Sequence, residues 1–308
     1  VSDLLRVAWY RSRATFSSRW PGYLAIVVLV GLLGGVAMAA LAGARRTQSS
    51  FPAFWASTTP SDLAGAVGIA NPALGQGGPY NPALIGRIAH LPHVTQVRTM
   101  AGLNEVPLGP GSAALPLPAL PPAPGNGNAS IDGLGFDQDR LLVTSGRLPD
   151  PRQPDEFVAT ALIAHQLGLR VGSTLPIGIY TNAQAALPGF GTPSVAPHVR
   201  ITGRLVGIVV VNSSVVQDDA DAGTSSSLMV FTPALTKPLL GCCVNYVSMG
   251  IRVDRPSNVA GVQARVAALL PNGFPPMGAT GFTVAKAERA IKPEAIALAA
   301  FGGIAALA

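Results

Sequence analysis

Charge is scarce in this chain. Only 12% of its 308 residues are Asp, Glu, Lys or Arg, about half the share of an ordinary globular domain. Lysine is almost missing, with Lys237, Lys286 and Lys292 alone, so the net charge of +6 is carried by arginine. Those arginines do not cluster on one face with aromatics between them, which argues against a nucleic-acid surface. Cysteine is confined to the neighbours Cys242 and Cys243, which excludes a disulfide scaffold. Glycine (35) and proline (28) are abundant but aperiodic, so a collagen is excluded too. No G-x-x-x-x-G-K-[ST] occurs, and the chain carries no P-loop of its own. Neither a G-x-S-x-G elbow nor an H-E-x-x-H helix is present.

Hydrophobic residues, by contrast, make up 48% of the chain, and mean hydropathy is +0.39. That excludes disorder through low hydrophobicity and points to membrane segments. Gly22 to Ala44 holds no charged residue. As a helix it would rise about 34 Å, enough for a hydrocarbon core of about 30 Å. Trp20 and Tyr23 sit at one end, at the level amphipathic rings prefer. Arg6, Arg11, Arg13 and Arg19 precede the run and Arg45 and Arg46 follow it, so the positive-inside bias puts residues 1–21 in the cytoplasm. Gly31, Gly35, Ala39 and Gly43 fall four apart, the small-residue stripe by which helices approach closely in lipid. A cleaved signal peptide is the competing reading, with Ala40-Leu41-Ala42 as its cleavage site. A second apolar run, Ala295–Ala308, is about 21 Å of helix and short of a full span. It reads as the start of a second transmembrane helix in a fragment of a longer protein.

The body between these runs mixes helical and strand patterns. Phe51–Asp62 reads as the first helix continuing off the membrane, Ile85–Leu91 as a short helix stopped by Pro92, and Val94–Met100 as a strand. Pro107 to Pro124 contains seven prolines and leads into Gly125-Asn126-Gly127-Asn128, a mobile and dispensable loop. Further strands are expected at Phe157–Thr160, Leu175–Tyr180, Val199–Val211 and Tyr246–Val253. Gly203 and Gly207 in the longest of them mark bulges or close packing. Ala161–Gly168 reads as a short helix, and Ser257 as the N-cap of a helix ended by Pro271. The class is α+β.

Candidates for chemistry are thin. His90 and His93 have no third ligand at metal spacing. Asp218, Asp219 and Asp221 are half of a calcium loop with no closing glutamate. His165 and His198 are isolated. Cys242 and Cys243 can form a vicinal disulfide, or remain free or intermolecular thiols; neither state is a redox C-x-x-C. No catalytic, cofactor or metal residue is expected.

Several stretches resemble the FtsX-like/MacB-like family of ABC-transporter permeases in its actinobacterial form. Ala44-Arg45-Arg46-Thr47 through Phe51 and Phe54 is similar to that family's lead into its outer domain. Leu91-Pro92-His93-Val94 resembles "LPGV" with His93 in the glycine position. Gly146-Arg147-Leu148-Pro149 with Pro154-Asp155-Glu156-Phe157-Val158 resembles "GRLP…PDEVVV". Leu167 to Leu175 is similar to "LGLRVGDTL" with Ser173 in place of aspartate. Gly207-Ile208-Val209 resembles "VGIV", and Ile291 to Ala295 the approach to the next span. The resemblance does not extend to the proline-rich loop or to 181–198.

The resemblance implies a MacB-type periplasmic core domain, extracytoplasmic over 45–294, with a porter-like α/β lobe and a β-rich lobe inserted at about 130–225. It further implies a permease subunit whose ATP is hydrolysed by a separate ABC ATPase, a second permease copy or half, and mechanotransmission in a lipid membrane. A membrane-anchored or secreted binding domain without an ATPase is the alternative.

Helix 22–44 is expected to stay uncleaved. A C-terminally tagged chain should therefore resist carbonate extraction at full length. A shorter, carbonate-extractable product cut after Ala42 would sink the transmembrane assignment and establish the signal peptide.

Overall fold

The computed structural model describes residues 2–70, 79–109, 114–115, 127–212, 228–271, 274 and 276–307. In chain order the elements are α1 (Ser2–Ser57), β1 (Leu63–Ile69), α2 (Pro82–Ala89), β2 (Val94–Leu103), β3 (Glu105–Pro107), β4 (Gly127–Ser130), β5 (Leu142–Gly146) and β6 (Glu156–Thr160). There follow α3 (Ala161–Gln166), β7 (Thr174–Ile179), α4 (Asn182–Ala185), β8 (Val199–Val210), β9 (Met229–Phe231), α5 (Pro233–Thr236), β10 (Val244–Val253), α6 (Val259–Leu269), β11 (Gly278–Ala279) and α7 (Gly281–Leu307). The chain divides into two compact units: residues up to 53 with those from 286, and 54–285.

The first unit is helical. α1 runs unbroken for 56 residues with Pro21 and Pro52 inside it. α1 from Arg19 onward and α7 are each long and apolar enough to cross a membrane. Their large side chains, among them Val27, Leu29, Leu32, Ile296 and Phe301, are exposed, as suits a lipid solvent. The two helices meet through small residues: a Cβ on Gly302 would lie 3.1 Å from the Ala37 carbonyl oxygen and 3.2 Å from the Ala40 Cβ. Ala37, Ala40 and Ala44 are buried in that seam.

The second unit is built on one mixed sheet of order β11-β1-β10-β2-β4-β9-β6-β8-β7-β3, with β5 on β8. Its first four strands come from two βαβ segments, β1-α2-β2 and β10-α6-β11, all paired antiparallel in the interleaved order of a split βαβ fold. α2 packs on β2 and on α6. Asn81 starts α2 by accepting the Leu84 amide at 3.0 Å, with Pro82 in the first turn, where its missing N–H costs nothing. Ile88, Val262 and Val266 then bury against Leu103, Val247, Met249 and Ile251. Ser257, expected to cap α6, lies within a 3₁₀ turn; Asn258 holds the cap position without a side-chain bond. The chain thus starts α6 from a preceding helical turn, which leaves the cap little to do.

Between β2 and β10, the insertion 104–243 carries β3 to β9. The strands of the inserted β-rich lobe, expected at about 130–225, join the sheet through the β2–β4 pairing. β8 is the spine, pairing with β7 over its first half, with β6 over its second half and with β5 at its end. Val158, Val206, Val209 and Val230 form a second small core here.

The proline-rich loop is only partly as expected. Most of it, 110–113 and 116–126, lies outside the described residues. Its ends are tied to the sheet: Leu108 donates to the Pro176 carbonyl at 2.8 Å, and Asn128 accepts the Tyr246 hydroxyl at 2.6 Å.

Several residues of the family-like motifs occupy tight turns. Gly146 has φ +77°, and its missing Cβ leaves room for the Val206 carbonyl. Gly207 likewise admits the Arg147 carbonyl and stands at the register shift between β6 and β8. Arg147 holds Glu156 bidentately, through Nη1 at 2.7 Å and through Nη2, while the Asp150 amide donates to Glu156 Oε2 at 3.0 Å. Ser173 Oγ accepts the Arg170 amide at 3.0 Å, the turn bond an aspartate would make. His93 has φ +73°, where glycine is at ease, and is tied there by Asp254 Oδ2 at 3.0 Å.

The Arg147 hydrogen bonds hold the Glu156 carboxyl below its ordinary value of 4.5, against the opposing effect of burial. A lowered carboxyl contributes stability above 4.5 that is lost as pH falls through the lowered value. Asp132, raised by burial, has the opposite sign. Arg147 is half exposed, which screens the pair, so Glu156→Gln should cost about 1 kcal/mol at neutral pH. The variant should also flatten the acid limb of melting temperature against pH for the detergent-purified chain. An acid limb parallel to the parent's would show that the clip carries none of the acid sensitivity.

Candidate functional site

α1 ends by an unusual route. Thr58 and Thr59 amides donate to the Trp55 and Ala56 carbonyls, and Thr59 then turns left-handed at φ 51° ahead of Pro60. A β-branched residue pays about 1–2 kcal/mol for that conformation, so the segment that follows must be held firmly. It is held by a polar clamp in which the half-buried Asp139 gathers buried partners.

Asp139 Oδ1 accepts the Ser61 amide at 2.9 Å and Asn212 Nδ2 at 3.1 Å, and Oδ2 accepts the Ser61 hydroxyl at 2.5 Å. Asn212, just past β8, also donates to Thr58 Oγ1 at 3.2 Å. Gln138 Nε2 donates to Ser61 Oγ at 2.8 Å. Backbone bonds run beside these: Arg140 to the Thr58 carbonyl at 2.7 Å and Asp139 to that of Thr59 at 3.1 Å. Asp62 Oδ2 accepts the Val253 amide at 2.7 Å at the end of β10.

The same segment also holds the beginning of α7. Thr280 Oγ1 donates to the Ser61 carbonyl at 2.5 Å, and the Thr280 amide to the Asp62 carbonyl at 3.0 Å. Thr58, Ser61, Gln138 and Asn212 are all buried. Gly250 makes room for them, since a Cβ there would lie 2.2 Å from Ser61 Oγ. A cleft of about 210 Å³ opens beside the clamp, lined by Trp55, Met100, Leu134, Leu141, Val230 and Thr283 among others.

What the clamp can do is bear load: bonds to a carboxylate are the strong class, and several of them meet on the one residue Asp139. Sequence reasoning missed it because its members are short polar residues far apart in the chain. The one local signal was Thr59-Pro60-Ser61-Asp62, a helix stop followed by two oxygen-bearing side chains.

The helix-packing candidates fall on a different face of α1 from its seam with α7. Gly31, Gly35 and Ala39 are exposed, and nothing approaches Gly31 or Gly35 within 4 Å. Only Gly43 nears α7, at 3.9 Å from Leu298 Cδ1. His90 bonds the Gly86 carbonyl at 2.7 Å and His93 bonds Asp254, so the two do not converge. Asp218, Asp219 and Asp221 lie outside the described residues. His198 is not isolated in the fold. It stands beside Cys242 and Cys243, which are joined as a disulfide.

No family model matches the sequence, and no curated protein does. Three solved structures are similar in fold. The extracellular domain of the noncanonic ABC-type transporter YknZ from Gram-positive bacteria is 11% identical at a TM-score of 0.38, over 68% of this chain and 92% of that one. The periplasmic region of MacB from Actinobacillus actinomycetemcomitans is 12% identical at 0.36, over 68% and 84%. A domain of a permease protein from Porphyromonas gingivalis, described there as putative, is 9% identical at 0.32, over 70% and 88%. Scores at this level assign neither family nor function.

Asp139→Ala should leave the Ser61 amide, the Ser61 hydroxyl and one Asn212 proton without their acceptor. A cost of about 2 kcal/mol is expected for the stranded donors, read as a lowered unfolding midpoint of the full chain in detergent. Ser145→Ala, an exposed substitution on β5, is the control and should shift the midpoint little. Equal midpoints for the two variants would mean that the clamp bears no load.

Proposed function

We propose that this chain is the N-terminal part of an FtsX-like/MacB-like permease subunit, which passes motion from its membrane helices to an extracytoplasmic domain. The observation that carries the reading is the single clamp at Ser61. It fastens the last residues after α1 and the first before α7 to the same strand ends. A displacement of either helix is thus delivered to the ends of β8, β10 and β11 together. An anchor that only tethered a binding domain would need one helix and a linker, not a shared fastening.

In this reading residues 1–21 are cytoplasmic, 22–44 and the run from 295 lie in the membrane, and 45–294 are extracytoplasmic. ATP hydrolysis belongs in this reading to a separate ABC ATPase; these 308 residues hold no P-loop. The outward small-residue stripe Gly31, Gly35 and Ala39, with Gly43 at its end, receives a helix from the rest of the permease or from a second copy. Lipids offer no hydrophobic drive for that contact, so close approach must supply it.

Enlarging Gly35 separates that contact without touching the α1–α7 seam. In the complete permease with its ATPase in lipid, Gly35→Leu should uncouple ATP turnover from outer-domain motion and leave the outer domain folded. The local cost should be about 1–2 kcal/mol. Gly302→Leu, which strikes Ala37 and Ala40, is the comparison that damages the internal seam. Unchanged turnover and motion in Gly35→Leu would refute a mechanical role for the stripe.

A further inference from the structure

We propose that His198, Cys242 and Cys243 form a thiophilic metal site that opens when the Cys242–Cys243 disulfide is reduced. The two sulfurs and a ring nitrogen of His198 all lie within 4.8 Å of one another. They come from distant parts of the chain. His198 stands immediately before β8, whose first residue Val199 pairs with Ile179 of β7. The cysteines lie in the turn between the 3₁₀ turn Lys237–Leu239 and β10.

The backbone that carries the sulfurs is held on both sides, independently of the S–S bond. The Cys242 and Cys243 amides donate to the Leu239 carbonyl at 3.2 and 3.1 Å. In return the Cys242 carbonyl accepts the Asn182 amide and the Cys243 carbonyl accepts the Asn104 amide, each at 2.9 Å. Opening the disulfide therefore frees two side chains without freeing the turn. Access is graded: Cys243 is buried, Cys242 is half-buried and His198 is exposed. A reductant meets Cys242 first, and an incoming ion meets the imidazole first.

The redox step balances with a dithiol as reductant, such as the reduced form of a thiol–disulfide oxidoreductase. Its thiolate attacks Cys242 Sγ, the S–S bond breaks, and Cys243 leaves as a thiolate. The second thiol of the reductant then resolves the mixed disulfide. Two electrons and two protons pass to the pair, and the reductant becomes a disulfide. Oxidised, the pair offers no thiolate, and the imidazole alone binds an ion weakly.

Reduced, the site offers two thiolates and one neutral imidazole, the donor set of zinc and of softer ions, with a fourth position open to water. Bond lengths of about 2.3 Å to sulfur and 2.0–2.1 Å to nitrogen set donor separations of roughly 3.3–3.8 Å. Reduction lets the sulfurs part from bonding distance, while the imidazole nitrogen, now within 4.8 Å of them, closes by about 1 Å; side-chain rotation covers both movements. Binding releases the two thiol protons.

The test uses the full chain in detergent with cadmium as the probe. After reduction and removal of the reductant, two thiols should titrate, and cadmium should raise a sulfur-to-metal charge-transfer band saturating at one ion per chain. The unreduced chain should give no band. His198→Ala, a substitution at an exposed position, should bind at least about tenfold more weakly, and Cys243→Ser should lose the band. Equal cadmium affinity in His198→Ala and the parent would overturn the three-ligand site. So would a failure of thiols to appear on reduction, or an equally strong band in the unreduced chain.

Discussion

The fastening of Thr58–Asp62 by Asp139 is the constraint from which the rest of the outer unit takes its position. A half-buried carboxylate that accepts from three donors leaves little slack, because each lost bond strands a donor of the buried Ser61 or Asn212. That demand explains neighbouring features that otherwise look costly. Thr59 sits in a left-handed conformation that β-branched residues avoid, and Asp139 itself has φ 47°. Gly250 gives up a side chain in the middle of a buried strand so that Ser61 and Gln138 can pass beneath it. The bonds that meet on Asp139 hold both residues in that bent geometry.

From that fixed corner the sheet extends in two chemically different directions. β1, β10 and β2 form long antiparallel ladders whose inner residues are almost wholly apolar. The insertion instead winds around β8 through short strands, and its turns are set by individual polar residues. The family-like stretches fall mainly in this second part. Gly146-Arg147, Asp155-Glu156 and Ser173 are residues of turn chemistry, holding the carbonyl of Arg147 against Gly207 and the carboxylate of Glu156 against two partners. A resemblance built from such residues speaks to how the insertion is folded, and the conclusion about transport has to come from the helices and their clamp.

Much of this architecture was legible in the residues because it follows periodicity. The uncharged stretch after Trp20, the alternation at Val94, Val199 and Tyr246, and the helical spacing of Val259, Val262 and Val266 each match an element of the fold. Where local signals misled, a longer-range interaction had decided the matter. The proline-rich stretch reads as free loop, yet Leu108 and Asn128 at its ends are fixed by Pro176 and Tyr246, more than fifty residues away in each case. Ser257 reads as a cap, yet α6 needs none because a 3₁₀ turn leads into it. His198 reads as isolated, and only the β7–β8 pairing carries it to the cysteines. The Asp139 clamp joins segments about eighty residues apart, a distance over which composition and spacing give no information.

The orientation of α1 follows from its own arithmetic. Residues four apart on a helix advance by about 40° relative to one another, since each residue turns about 100°. Gly31, Gly35, Ala39 and Gly43 therefore do not form a line parallel to the axis; they wind across one side. Ala37, Ala40 and Ala44, the residues buried against α7, are centred about 140–220° from the first three of that series. By Gly43 the winding stripe has reached the rim of the packed face, which is why Gly43 alone comes near Leu298. A single-pass anchor packed on one neighbour would need small residues on one side only. α1 has them on two, and the second side is lined by exposed glycine at a depth where a lipid-facing helix gains nothing by omitting side chains. Omitted side chains on that side leave open space along α1, and in the proposed function this is the room that a further helix would take.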